Sequence, residues 1–127
     1  MKDTDTIIKI KRIYDVPSED DGKRILIDRL WPRGISKEKA QIDIWLKDAA
    51  PSTELRKWYG HSPEKHEEFS NLYEKELSTS PVCINAVKLL KKIAEKENLT
   101  LLYAAKDEVH NHAIVLLNWI LNKVELS

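Results

Sequence analysis

Cysteine occurs once in the 127 residues, as Cys83. A lone thiol cannot build an intramolecular disulfide framework, and without a partner it offers no paired-cysteine redox motif. An excess of either charge is also missing: 21 Lys plus Arg balance 21 Asp plus Glu, so the formal net charge is zero. No global field then draws the chain to nucleic acid or to a membrane, and any basic patch must be local. No apolar run approaches the roughly 18 residues that a bilayer span needs, and the opening stretch MKDTDTIIKIKR lacks the apolar core of a signal peptide. The expected setting is the reducing cytoplasm, with no membrane partner. There is no phosphate-binding glycine loop, nucleophile elbow, internal repeat or low-complexity tract. His61, His66, His110 and His112 form no His-x-x-x-His pair, so neither a metal nor another cofactor is expected.

What is present points to one α/β domain over residues 1–127, large enough to bury a single core. Thr6 to Ile13 alternates apolar and basic residues, as a half-buried strand near a sheet edge does. Tyr14 to Lys23 contains Pro17, Asp20, Asp21 and Gly22 and reads as a solvated acidic loop. Such a short link is compatible with an antiparallel pairing of the first two strands, or with parallel strands if it hides a tight turn. Ile25, Leu26 and Ile27 form an uninterrupted apolar strand covered on both faces. Pro32 and Gly34 then force a turn.

Further on, Ser36 is placed to cap a short helix over Lys37 to Ala40, whereas Gln41 to Lys47 is open between strand and helix. Ser52 caps a helix stopped by Gly60. Ser62-Pro63 starts a second helix, to about Leu77, with His66, Phe69, Tyr73 and Leu77 on one face. Ser80-Pro81 starts a third, with Val82, Ala86, Leu89, Leu90 and Ile93 as its apolar stripe and Asn98 as its C-cap. Leu99 to Ala105 carries no charge and belongs in the middle of the sheet, beside Ile25–Ile27. A last helix, capped by Asp107, buries Val109, Ala113, Leu116, Leu117, Ile120 and Val124. The sum is a small, mostly parallel sheet of three or four strands flanked by helices.

In open α/β sheets ligands bind outside the carboxyl ends of the strands. Two such ends carry polar clusters here: Asp28, Arg29, Trp31 and Arg33 after one strand, and Lys106, Asp107, Asn111 and His112 after the other. Parallel strands would bring both into one crevice. A helix N-terminus with Arg29, Arg33 and Lys106 suits phosphate or carboxylate, possibly on a nucleotide-like molecule. His112 is the best acid/base candidate, with Asp28 and Asp107 as the carboxylates. The competing view is a structural ion network beside a helix cap, with His112 a hydrogen-bonded boundary residue. Cys83, near a helix start, is either activated by the dipole or, more commonly, a small buried apolar group. The four tryptophans suit core packing, although Arg29, Trp31, Arg33, Arg56 and Trp58 could stack single-stranded nucleic acid if they converge.

Three motifs, DRLWPRG, WLKDAAPSTELRKWYGH and LLYAAKDEVHNHA, closely resemble the YeaO-like bacterial family of unknown function, across nearly the whole chain. The resemblance implies a small cytosolic α/β protein and adds Arg56 and His61 to the candidate ligand-binding residues. Longer relatives of the superfamily carry a Cys-His-Arg element at a helix start that looks equivalent to Asn111-His112-Ala113, so a cysteine nucleophile is missing here. Two classes of function remain open: an enzyme acting on a small anionic molecule, and a non-catalytic module that binds such a ligand, a partner protein or single-stranded nucleic acid. Oligomeric state cannot be read from the sequence.

Overall fold

A computed structural model describes residues 7–126, with side chains to Leu121. Four strands, β1 (Ile8–Arg12), β2 (Lys23–Leu26), β3 (Ile44–Trp45) and β4 (Leu99–Tyr103), form one sheet in the order β1-β4-β2-β3. Every pairing is parallel, with Ile8 opposite Leu99, Lys23 opposite Leu99 and Ile25 opposite Ile44. The uncharged strand β4 is central and wholly buried, and the alternating β1 is an edge. Thr6, expected to open β1, lies outside the described residues.

Because strand side chains alternate between faces, the sheet sorts its own core. Ile25, Ile27, Leu99, Leu101 and Tyr103 face one large cluster built with α2 (Thr53–Tyr59), α3 (His66–Thr79), α4 (Pro81–Ala94) and α5 (His112–Leu126). Leu26 and Leu102 face a smaller one with Ile13, Ala40, Trp31 and Trp45, beneath the short helix α1 (Lys37–Ala40). No described helix is long and apolar enough to cross a membrane.

The segment from Tyr14 to Lys23 does contain a tight turn, a 3-10 turn at Glu19–Asp21, so β1 and β2 run parallel with β4 between them. Its acidic run is not simply solvated. Asp21 is 0% exposed: it caps the turn by accepting from Ser18 N–H, and it pairs with Lys11 and with the buried Arg24. Gly22 follows at φ 63, and a Cβ there would collide with the Asn98 carbonyl, which accepts from Lys23 N–H at the start of β2.

Ser36 and Ser52 cap α1 and α2 as expected, through Lys39 N–H and Leu55 N–H, and Gly60 ends α2 at φ 53. The open stretch Gln41 to Lys47 resolves into the two-residue strand β3. Other expectations shift. α4 buries Cys83, Ala86, Val87, Leu90 and Ala94, while Val82 and Leu89 are exposed, because the small side chains let this helix approach its neighbours closely. Asn98 is not its C-cap; Glu95 is, and the Asn98 side chain accepts from Ile7 N–H instead. Val109 precedes α5 and is exposed. Ala113, Leu116 and Ile120 are buried and Leu117 is partly so, whereas the side chain of Val124 lies outside the described residues.

Candidate functional site

With all strands parallel, the segments leaving β2, β3 and β4 emerge at the same edge of the sheet. A crevice of ≈ 590 Å³ opens there, lined by Asp28 and Arg29 after β2, Ala50 and Pro51 before α2, and Ala104 to Asp107 after β4. Arg56 and Tyr59 of α2, His61, Phe69 of α3, and Asn111 and His112 at the start of α5 complete it. The volume falls within the roughly 300–1,000 Å³ usual for small-molecule sites.

The crevice walls are held by side chains that grip main chain. Asp28 Oδ2 accepts from Ala104 N–H at 3.0 Å, tying the end of β2 to the end of β4. Arg12, the last residue of β1, donates from Nε to Ala105 O at 2.9 Å and from Nη2 to Ala104 O at 3.1 Å. Arg29 does the same on the other side, with Nε 3.1 Å from Pro51 O and Nη2 3.3 Å from Ala50 O. No carboxylate pairs with Arg29 among the described residues, so its charge is dispersed over carbonyls and not neutralised. Arg56 and Lys106, both exposed, likewise have no described ion pair.

The loop into α5 is built on polar side chains. Asp107 Oδ1 accepts from Val109 N–H and His110 N–H, each at 2.9 Å, and its Oδ2 lies 3.0 Å from His110 Nδ1. The two backbone donors, with the His110 ring, hold the carboxyl down at about 2. Asp107 therefore caps the turn before the helix. Asn111 caps α5 itself: its Oδ1 accepts from Ile114 N–H at 3.0 Å and its Nδ2 donates to Asp107 O at 2.8 Å. The sequence predicts Asp107 as the cap of α5; the structure instead spends Asp107 on the turn through Val109 and His110, and Asn111 caps the helix.

His112 is mostly buried, with Nε2 3.0 Å from Ile27 O and 3.2 Å from Asp28 Oδ1. Both neighbours are acceptors, so Nε2 carries a proton. Nearby, the Tyr59 hydroxyl donates to His110 O at 2.9 Å and sits 3.3 Å from His66 Nδ1. Burial, then the neighbouring His110, lowers the His66 pKa below its ordinary value. Gly60 at φ 53 and His61 at φ 57 are successive left-handed residues that swing the chain off α2, placing His61 on the crevice wall at a cost of about 1 kcal/mol for the non-glycine residue.

Eight of the ten candidate residues thus line one crevice: Asp28, Arg29, Arg56, His61, Lys106, Asp107, Asn111 and His112. Trp31 and Arg33 do not. Past Arg29 the chain crosses to the other face of the sheet, where Trp31 packs edge-on against Trp45 at 5.3 Å and donates to Ile35 O. Arg33 is exposed, with its carbonyl accepting from Tyr14. The arginine–tryptophan set that might stack nucleic acid accordingly does not share one surface. Cys83 is buried, and burial raises its pKa, which fits an inert thiol. The sequence reading missed Arg12 and the aromatic wall of Tyr59 and Phe69. A basic residue closing an edge strand was the available cue for Arg12, while Phe69 carried none beyond its core periodicity.

The family described as "Inactive DUF488-N3 subclade" matches residues 7–127. An uncharacterized Escherichia coli protein, YeaO, is 45% identical over 113 residues, covering 89% of this chain and 96% of its own length. Uncharacterized proteins of Mycobacterium tuberculosis and Mycobacterium bovis are each 40% identical over 112 residues, covering 88% of this chain and 92% of theirs. No solved structure matches the chain.

Proposed function

This chain belongs to the inactive DUF488-N3 subclade, and from that premise we propose that it is a non-catalytic module binding a small anion, phosphate or carboxylate, in the crevice at the carboxyl edge of its sheet. The observation that carries this reading is an imbalance of commitments. The carboxylates are engaged: both Asp107 oxygens lie within hydrogen-bond distance of donors and Asp28 Oδ2 holds Ala104, while His112 is anchored through Nε2 to Ile27 O. The cations are not engaged with carboxylates: Arg29, Arg56 and Lys106 all border the crevice without a described ion pair. Unpaired guanidinium groups beside a partly desolvated space favour an anion.

The family description supports binding over turnover, and so does position 111. Where longer relatives of the superfamily resemble one another in carrying a cysteine, this chain has an amide that is 2% exposed and spent at both ends as a helix cap. Nothing at that position can attack a substrate. A cytoplasmic setting suits the role, since organic acids and phosphate esters are at hand and the buried Cys83 stays reduced.

Isothermal calorimetry with inorganic phosphate tests the proposal. A charge-assisted hydrogen bond contributes about 1.5–3 kcal/mol and a helix start roughly 0.3–1, so combined contacts give millimolar to micromolar affinity. Saturable binding to the wild type, lost in Arg29→Gln, is expected. A wild type that shows no saturable heat overturns the reading.

A further inference from the structure

The crevice also restricts what the anion can be attached to. Its neutral side-chain amide and hydroxyl are already engaged. The Asn111 amide is used at both ends, and the Tyr59 hydroxyl donates to His110 O. The Asp107 carboxylate is held by Val109 N–H, His110 N–H and the His110 ring. Asp28 Oδ1, 3.2 Å from His112 Nε2, is sealed from solvent. The lining donors without a described ion pair are Arg29 at Nη1, Arg56 and Lys106, three cations, beside the rings of His61 and His112.

Between these cations the walls are apolar. Pro51, Ala50, Ala104 and Ala105 form the sides, and the Tyr59 ring stacks on Phe69 with centroids 4.2 Å apart and planes 19° apart. Behind this wall Phe69 packs on the buried Tyr73 at 5.8 Å, and Tyr73 on His112 at 6.3 Å, which backs the Tyr59–Phe69 pair with the core. Leu30, 60% exposed, extends the apolar lining at the rim. A sugar or polyol against the apolar walls would surrender hydrogen bonds to water with few in exchange once the anion has taken the cations. An aromatic ring would surrender nothing and gain contact with the wall.

We infer that the ligand is an anion carried on a flat apolar body, an aryl carboxylate or aryl phosphate, with the cations taking the charge and the aromatic wall taking the ring. This deepens the anion-binding reading and rests on it. Carboxylate and phosphate share the recognised chemistry, and a probe of each separates them.

Calorimetry with phenyl phosphate, glycerol phosphate, benzoate, acetate and uncharged phenol is the test. Phenyl phosphate should bind at least about tenfold tighter than glycerol phosphate, benzoate should exceed acetate by a similar factor, and phenol should not bind measurably. Replacing the exposed Leu30 by serine should shrink both ratios. If glycerol phosphate binds as tightly as phenyl phosphate and acetate as tightly as benzoate, the apolar-body inference falls while anion binding stands. If phenol binds as well as the charged probes, the cations play no part in this ligand and the inference falls too. If no probe binds, both readings fall together.

Discussion

Asp21 has no solvent exposure, yet its pKa is lowered to about 2. Burial alone would raise it; the Ser18 backbone N–H, Lys11 and Arg24 together outweigh that penalty. The unfolded carboxyl titrates near its ordinary value of 3.8, so the folded state binds its proton less readily. Its stabilising contribution is therefore complete above about pH 4 and lost as pH falls towards 2, on the order of 2 kcal/mol in all. Urea unfolding between pH 5 and 2 should show that loss, and Asp21→Ala should lose roughly 3–5 kcal/mol at neutral pH by stranding Arg24. A variant within about 0.5 kcal/mol of wild type would mean that the pair contributes no net stability. Arg29 is the other decisive residue. It differs from Arg33, four positions away in the same motif, only in which side of the Pro32 turn it occupies, and that side decides whether it meets the crevice.

At the scale of elements, the caps and turns were the most legible part of the chain. Ser36, Ser52 and Gly60 act where their chemistry places them, since each satisfies backbone groups within its own few residues. The start of α5 was not legible, because Asp107 and Asn111 are both good caps and each satisfies backbone donors, Asp107 in the turn and Asn111 in the helix. The orientation of α4 was likewise hidden: bulk favoured a stripe through Val82 and Leu89, while close packing selected Cys83, Ala86 and Ala94. The cap carries a prediction. Asn111→Ala removes the bond to Ile114 and the one to Asp107, and should cost about 1 kcal/mol by thermal or urea unfolding. Asn111→Asp, which keeps the oxygen acceptor for Ile114 N–H, should recover most of that loss. Equal losses in the two variants would show that the oxygen acceptor is not what stabilises the helix start.

Across the whole molecule, the crevice depends on strand direction. Parallel strands place the ends of β2 and β4 together, and with them Arg29, Lys106, Asn111 and His112; an antiparallel arrangement would have put the two motifs on opposite edges. The apolar runs of β2 and β4 already suggested a parallel sheet, so Asp28, Arg29, Lys106, Asp107, Asn111 and His112 could be grouped from sequence, while Arg56 and His61 came with the family resemblance. The aromatic wall could not, because Tyr59 and Phe69 reach the crevice only through the packing of α2 and α3 against that sheet. The same reasoning excludes Trp31 and Arg33, which turn away to the opposite face. The most direct measurement of the central claim is an amide NMR titration of the wild type with inorganic phosphate. Saturating shifts confined to residues 28–30, 49–50, 56–61 and 104–112 are what the account predicts, and saturating shifts centred instead on Trp31 and Arg33, or none at all, would contradict it.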